Sequence, residues 1–124
     1  MKYTLMSVSI LAVILAFCIA NTCIVDRISQ TITSSIEKAE EEMEDGKAPE
    51  ELCREIDALW QRRSRYLTSV TNHQTADDAE KEIKAMSAAA EKDNYEDFFV
   101  HSSQAKALLG HIGDAEKLRV SNIF

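Results

Sequence analysis

Tyr3 to Val25 is a run of 23 residues without a single charged side chain. Nothing else in the chain limits its fold as strongly. A helix rises about 1.5 Å per residue, so the run covers roughly 34 Å, enough to cross a hydrocarbon core of about 30 Å. Its centre, Ile10 to Phe17, is wholly apolar, and Thr4, Ser7, Ser9, Asn21 and Thr22 lie toward its ends. A helix satisfies its own backbone polar groups, which is what lipid demands. A cleaved signal peptide is the rival. Cys18-Ile19-Ala20 is a poor small-x-small cleavage site, and Phe17 before Cys18 spoils a lipoprotein site. The run predicts an uncleaved anchor over residues 1–27, with residues 3–25 in the bilayer. Lys2 and the amino terminus outweigh Arg27 beside Asp26, so the positive-inside rule predicts a cytoplasmic N-terminus and an extracytoplasmic body in the cell membrane.

The remainder is different in character. Lys2 is the one charge before Asp26, which leaves residues 26–124 with 13 basic and 21 acidic side chains. A body that acidic argues against nucleic acid, which is bound by clustered Lys and Arg. Three glycines and one proline are too few for the many turns of a sandwich or barrel.

Helical spacing fills the body. Ile28, Ile32, Ile36, Ala39 and Met43 make one apolar stripe that Gly46 ends, predicting a helix over 28–45 that continues the anchor. Pro49 opens a second helix, 49–73, in which Leu52, Ile56, Leu59, Arg63, Tyr66, Val70 and His73 alternate by four and three. Thr75 to Asp78 looks like a capping box opening a third, 76–92, with the stripe Ala79, Ile83, Met86 and Ala90. Asp93 or Asn94 caps a fourth, 95–110, with Phe98, Ser102, Ala105, Leu109 and Ile112 in phase. Gly110 and Gly113 are expected to stop it, and the tail 114–124 is expected to pack back on the bundle. The fold class is all-α: one transmembrane helix running into a small antiparallel bundle of three to four helices, 28–124. With so thin a core, self-association is a further expectation.

Candidate chemistry is sparse. His73, His101 and His111 are the residues able to anchor a transition metal, and their spacing is unfavourable: His73 and Asp77 straddle a turn, and His101 and His111 face about 280° apart on a helix. No serine sits in a glycine-rich elbow, and there is no phosphate loop or dinucleotide fingerprint. No catalytic residue, cofactor or metal is expected, and an enzyme is the last of the readings. Cys18, Cys23 and Cys53 are too far apart along antiparallel helices to pair within the chain, which leaves Cys23 as a candidate for pairing between chains. Trp60 reads as a core or boundary side chain or an interface anchor. Arg63 reads as a paired or snorkelling arginine in core phase. His73, Asn122 and Phe124 read as packing residues, and His111 as a helix-end histidine.

Several landmarks together resemble a known family. They are the anchor, the acidic helix, Trp60 with Arg62-Arg63 and Arg65, Tyr66-Leu67, Asn72-His73, Asp93-Asn94-Tyr95-Glu96, Leu108-Leu109-Gly110-His111-Ile112 and the ending Ser121-Asn122-Ile123-Phe124. They are similar to the uncharacterised domain of unknown function 4363. The chain departs from that pattern at Gln74-Thr75, in place of a Glu-Leu pair, and at Gly110, in place of Glu. The resemblance implies a membrane-anchored helical protein of Gram-positive, often spore-forming bacteria, with no known activity. It also implies a small multi-span membrane protein of the YetF type as partner. The expected function is a membrane-tethered protein-interaction module, accessory to another membrane protein. An extracytoplasmic ligand or cation sensor is the alternative. On the expected topology only Met1 and Lys2 face the cytoplasm, which favours the interaction module.

Overall fold

The computed structural model describes residues 1–123, and the side chains of all of these except 119, 120 and 123. It is four helices: α1 (Lys2–Glu44), α2 (Glu50–Val70), α3 (His73–Glu91) and α4 (Tyr95–Ile123). Each is antiparallel to the one before, and α4 closes the bundle against α1 as well as α3.

α1 is one uninterrupted helix of 43 residues, about 64 Å long. Its two halves differ in burial. Residues 1–14 are all exposed, and Tyr3, Leu5, Val13 and Phe17 stand among the most exposed large apolar side chains. From Val25 onward the stripe Ile28, Ile32, Ile36, Ala39 and Met43 is buried, as its spacing requires. The first half is long and apolar enough to cross a membrane, with a mean hydropathy of 2.6.

Two turns of the same design close the far end of the bundle. After α1, Gly46 takes φ +76°, its N–H bonds to the Met43 carbonyl and the Lys47 N–H to the Glu42 carbonyl. After α3, Asp93 takes φ 54°, its N–H bonds to Ala90 and the Asn94 N–H to Ala89. Both are Schellman endings, the second built on Asp because a short polar side chain tolerates left-handed backbone. Asn94 then starts α4: its Oδ1 accepts from the Asp97 N–H, and its Nδ2 donates to the Asp97 carboxylate. At the other end, Thr71 is extended (φ −119°, ψ 179°), and Asn72 Oδ1 accepts from the Gln74 N–H. Helix three therefore opens at His73 under an Asn72 cap, three residues before the place Thr75 suggests, and helix two ends at Val70.

α4 departs most from the spacing argument. It runs through Gly110 and Gly113 to Ile123 without a break. A helical glycine costs about 1 kcal/mol relative to alanine, and packing on α1 offsets that cost. Gly113 is buried, and a Cβ there would lie 3.2 Å from Asp26 Oδ1. The glycine lets α4 lie close against Asp26 and Ser29 of α1. The segment 114–124 is thus, as far as Ile123, the continuation of α4 rather than a tail folded back.

The core runs the length of the body. Trp60 and Phe98 are its largest fully buried side chains, with Ile32, Ile36, Ile56, Leu67, Ile83, Met86, Leu109 and Ile112 around them. Phe98 meets Phe99 edge-on at 5.4 Å. Near the far end Cys53 is wholly buried, and burial first, then the Glu42 and Glu50 carboxylates, push its thiol up to about 12 from 9.0. The unfolded thiol ionises first, so Cys53 contributes stability that is complete below pH 9 and declines as pH rises toward 12. Alkylation at pH 8 is therefore expected to modify exposed Cys23 in the folded protein and to reach Cys53 only on unfolding. Equal labelling of both thiols without denaturant would contradict the burial.

Candidate functional site

Polar contacts hold α1 and α4 in register. Lys106 Nζ lies 2.5 Å from Glu40 Oε1, and the Ser102 hydroxyl donates to Glu40 Oε2 at 3.1 Å. Lower down, the buried Ser29 hydroxyl donates to the Leu109 carbonyl, and Lys117 Nζ stands 3.2 Å from Asp26 Oδ1. Glu40 and Ser29 are largely buried and would disfavour burial unless partnered, so each pins one turn of α4 to one turn of α1, whereas the more exposed Lys117–Asp26 pair adds little. On the α3 side, His101 Nδ1 meets Glu82 Oε2 at 2.6 Å. Spacing could not reveal any of these pairs, because their members lie 19 to 91 positions apart in the chain.

The end of the bundle nearest the apolar half of α1 carries a second polar group. The Tyr66 hydroxyl donates to Asn21 Oδ1, which belongs to the uncharged run. Burial, and then the Glu116 carboxylate, raise the Tyr66 phenol above its usual pKa. Glu116 is itself only 5% exposed. It lines an open cleft of about 410 Å³ with Thr71, Asn72, Thr75, His111, Ile112 and Ala115, where α4 runs past the α2–α3 turn. The cleft offers a carboxylate, hydroxyls, an amide and an imidazole. That donor set suits hydrogen bonding to a small polar group.

The landmarks read from the sequence are dispersed. Trp60 is in the core at 1% exposure, and among the described residues its indole N–H has no hydrogen-bond partner, as is also true of Asp57 Oδ1. Arg63 is exposed rather than in the core. It stands at the rim of a groove with Arg27, Ile28, Thr31, Ile32 and Leu59, because the α2 stripe drifts to the open edge of its contact with α1 there. His73 is also exposed, since helix two ends before it and it becomes the first residue of α3. His111 sits within α4, exposed at the cleft, and Asn122 is exposed on the last turn of α4. Phe124 lies outside the described residues. Among the described residues no three His, Cys, Asp or Glu side chains converge as a metal site would require, and all three cysteines are free. The cleft itself was out of reach of the sequence argument: its walls come from a turn and a helix about 40 residues apart.

The family model of a domain of unknown function, DUF4363, matches residues 19–123. No curated protein and no solved structure matches the chain.

Proposed function

Because the chain belongs to the DUF4363 family, whose description assigns no activity, we propose from its own architecture that it is a membrane-tethered interaction module, accessory to another membrane protein. One observation carries this reading: α1 is a single helix whose first half exposes apolar side chains to its surroundings and whose second half is a wall of the bundle core. Water would not stabilise the first half in that state, and lipid would. The bundle then stands directly on its own membrane helix. The turns at its far end carry Glu41, Glu44, Asp45, Glu51, Asp93 and Glu96, all exposed. Such a surface favours a protein partner with basic loops over nucleic acid or anionic lipid.

Crosslinking of the intact protein in its native membranes tests this. A single integral membrane protein is expected at matched stoichiometry, with capture weakened by added salt. Recovery of the chain alone, or of its own dimer alone, would remove the accessory role. For topology we infer a cytoplasmic N-terminus and an extracytoplasmic body, on the charge balance around the apolar run. Protease added to intact protoplasts is expected to digest the body. Protection until lysis would place it in the cytoplasm.

A second reading, a sensor of a small solute or cation, is favoured by the Glu116 cleft. It requires that added cations or polar solutes shift the melting temperature of the intact protein. The same shift in a Glu116→Gln variant would exclude the cleft.

A further inference from the structure

The register between α1 and α4 fixes how far down the membrane helix the bundle reaches. Lys117 is level with Asp26. α4 continues six residues beyond it to Ile123, about 9 Å, which carries its end to the level of Ala20 on α1. Tyr66, near the end of α2, independently reaches Asn21. The Tyr66 contact falls inside the uncharged run that ends at Val25, and the end of α4 lies level with it. The bundle is therefore not held off from that run by a spacer, but overlaps its last turn and a half.

Length makes this overlap consequential. A hydrocarbon core of about 30 Å takes about 20 residues of helix. Counted from Lys2, whose amine belongs in the opposite headgroup layer, the far boundary falls at about residue 22. The end of α4 lies at that depth. Its chemistry suits the position. The last eight residues, Lys117 to Phe124, hold two bases, four large apolar residues and no acid, in a body otherwise rich in acids. Leu118 is 63% exposed. Apolar side chains beside Lys and Arg are the composition of a helix segment at a lipid interface.

We propose that the last two turns of α4 lie in the headgroup layer of the bilayer that α1 crosses, so that the bundle is seated on the lipid surface. The proposal rests on the reading of α1 as a membrane helix. Seating holds the acidic turns at the greatest distance from the lipid, and it gives the exposed apolar Leu118 a partner.

Quenching by spin-labelled lipid tests the depth directly. The full chain, with Cys18→Ser and Cys23→Ser, is placed in nanodiscs containing phosphatidylglycerol, and a bimane reporter is attached at Ser121→Cys. Buried Cys53 stays unlabelled. Reference reporters are Val13→Cys in the apolar run and the exposed Ser103→Cys higher on α4. A headgroup nitroxide is expected to quench position 121 severalfold more than position 103, while an acyl-chain nitroxide quenches position 13. Asn122→Cys repeats the reading one residue on, in case the first reporter disturbs the helix. If 121 and 122 are quenched no more than 103 while 13 is quenched, the seating is wrong and the membrane helix stands. An unquenched position 13 overturns the membrane helix, and the seating with it.

Discussion

Trp60→Ala is expected to leave the bundle largely unfolded at physiological temperature. The indole is the largest fully buried side chain, and truncating a buried Trp costs about 3–5 kcal/mol. For a domain of this size that lowers the melting temperature by roughly 20 °C. A small four-helix body has little stability beyond that. Trp60→Phe separates volume from polarity. It keeps most of the packing and removes the buried N–H that lacks a partner, so its loss is expected to be about 1 kcal/mol. Thermal melts of the detergent-solubilised full chain, followed at 222 nm, check both. If the alanine variant melted within a few degrees of the parent, Trp60 would be a surface or interface residue after all.

Glu40→Lys is the second large effect. It puts two ammonium groups where Glu40 and Lys106 now meet at 2.5 Å, and it removes one of the two acceptors of the buried Ser102 hydroxyl, leaving the Phe99 carbonyl. The Glu40 side chain is only 14% exposed, so breaking the pair is expected to cost about 3 kcal/mol. Lys106→Glu alone should be similarly harmful. Combining the two restores opposite charges across the seam and is expected to recover more than half of the loss. Denaturant midpoints for the four proteins of the cycle measure it. Additive losses in the double variant would mean that α4 does not pack on α1 in this register.

The apolar stripes were legible because helical period alone places them. Ile32, Ile36, Ile83, Met86, Phe98, Ala105 and Leu109 are all buried at the positions their spacing assigns, and even the polar Ser102 keeps its place in that phase. Arg63 and His73 show where period stops being enough. A residue in phase is buried only if a neighbouring helix covers that part of the stripe, and Arg63 stands at the rim of the α1–α2 groove, beyond what α1 covers. Gly110 and Gly113 show a second limit. Glycine disfavours a helix by an amount that a few good contacts exceed, so its reading as a stop depended on packing that no local pattern reports. The polar seam between α1 and α4 and the Glu116 cleft bring together residues remote in the chain, and only the assembled bundle could reveal them.

The unbroken backbone of α1 has a mechanical consequence. From near residue 12, midway along a span from Lys2 to residue 22, to Glu44 is a rigid arm of about 48 Å. Transmembrane helices commonly lean by about 20°, and that lean swings the tip sideways by about 16 Å, with no hinge along the helix to absorb it. A neighbour that clasps the arm within the lipid and another that meets the acidic turns at its tip would feel each other through it. Bilayer thickness alone, by setting the lean, would decide which patch of a partner those turns can touch.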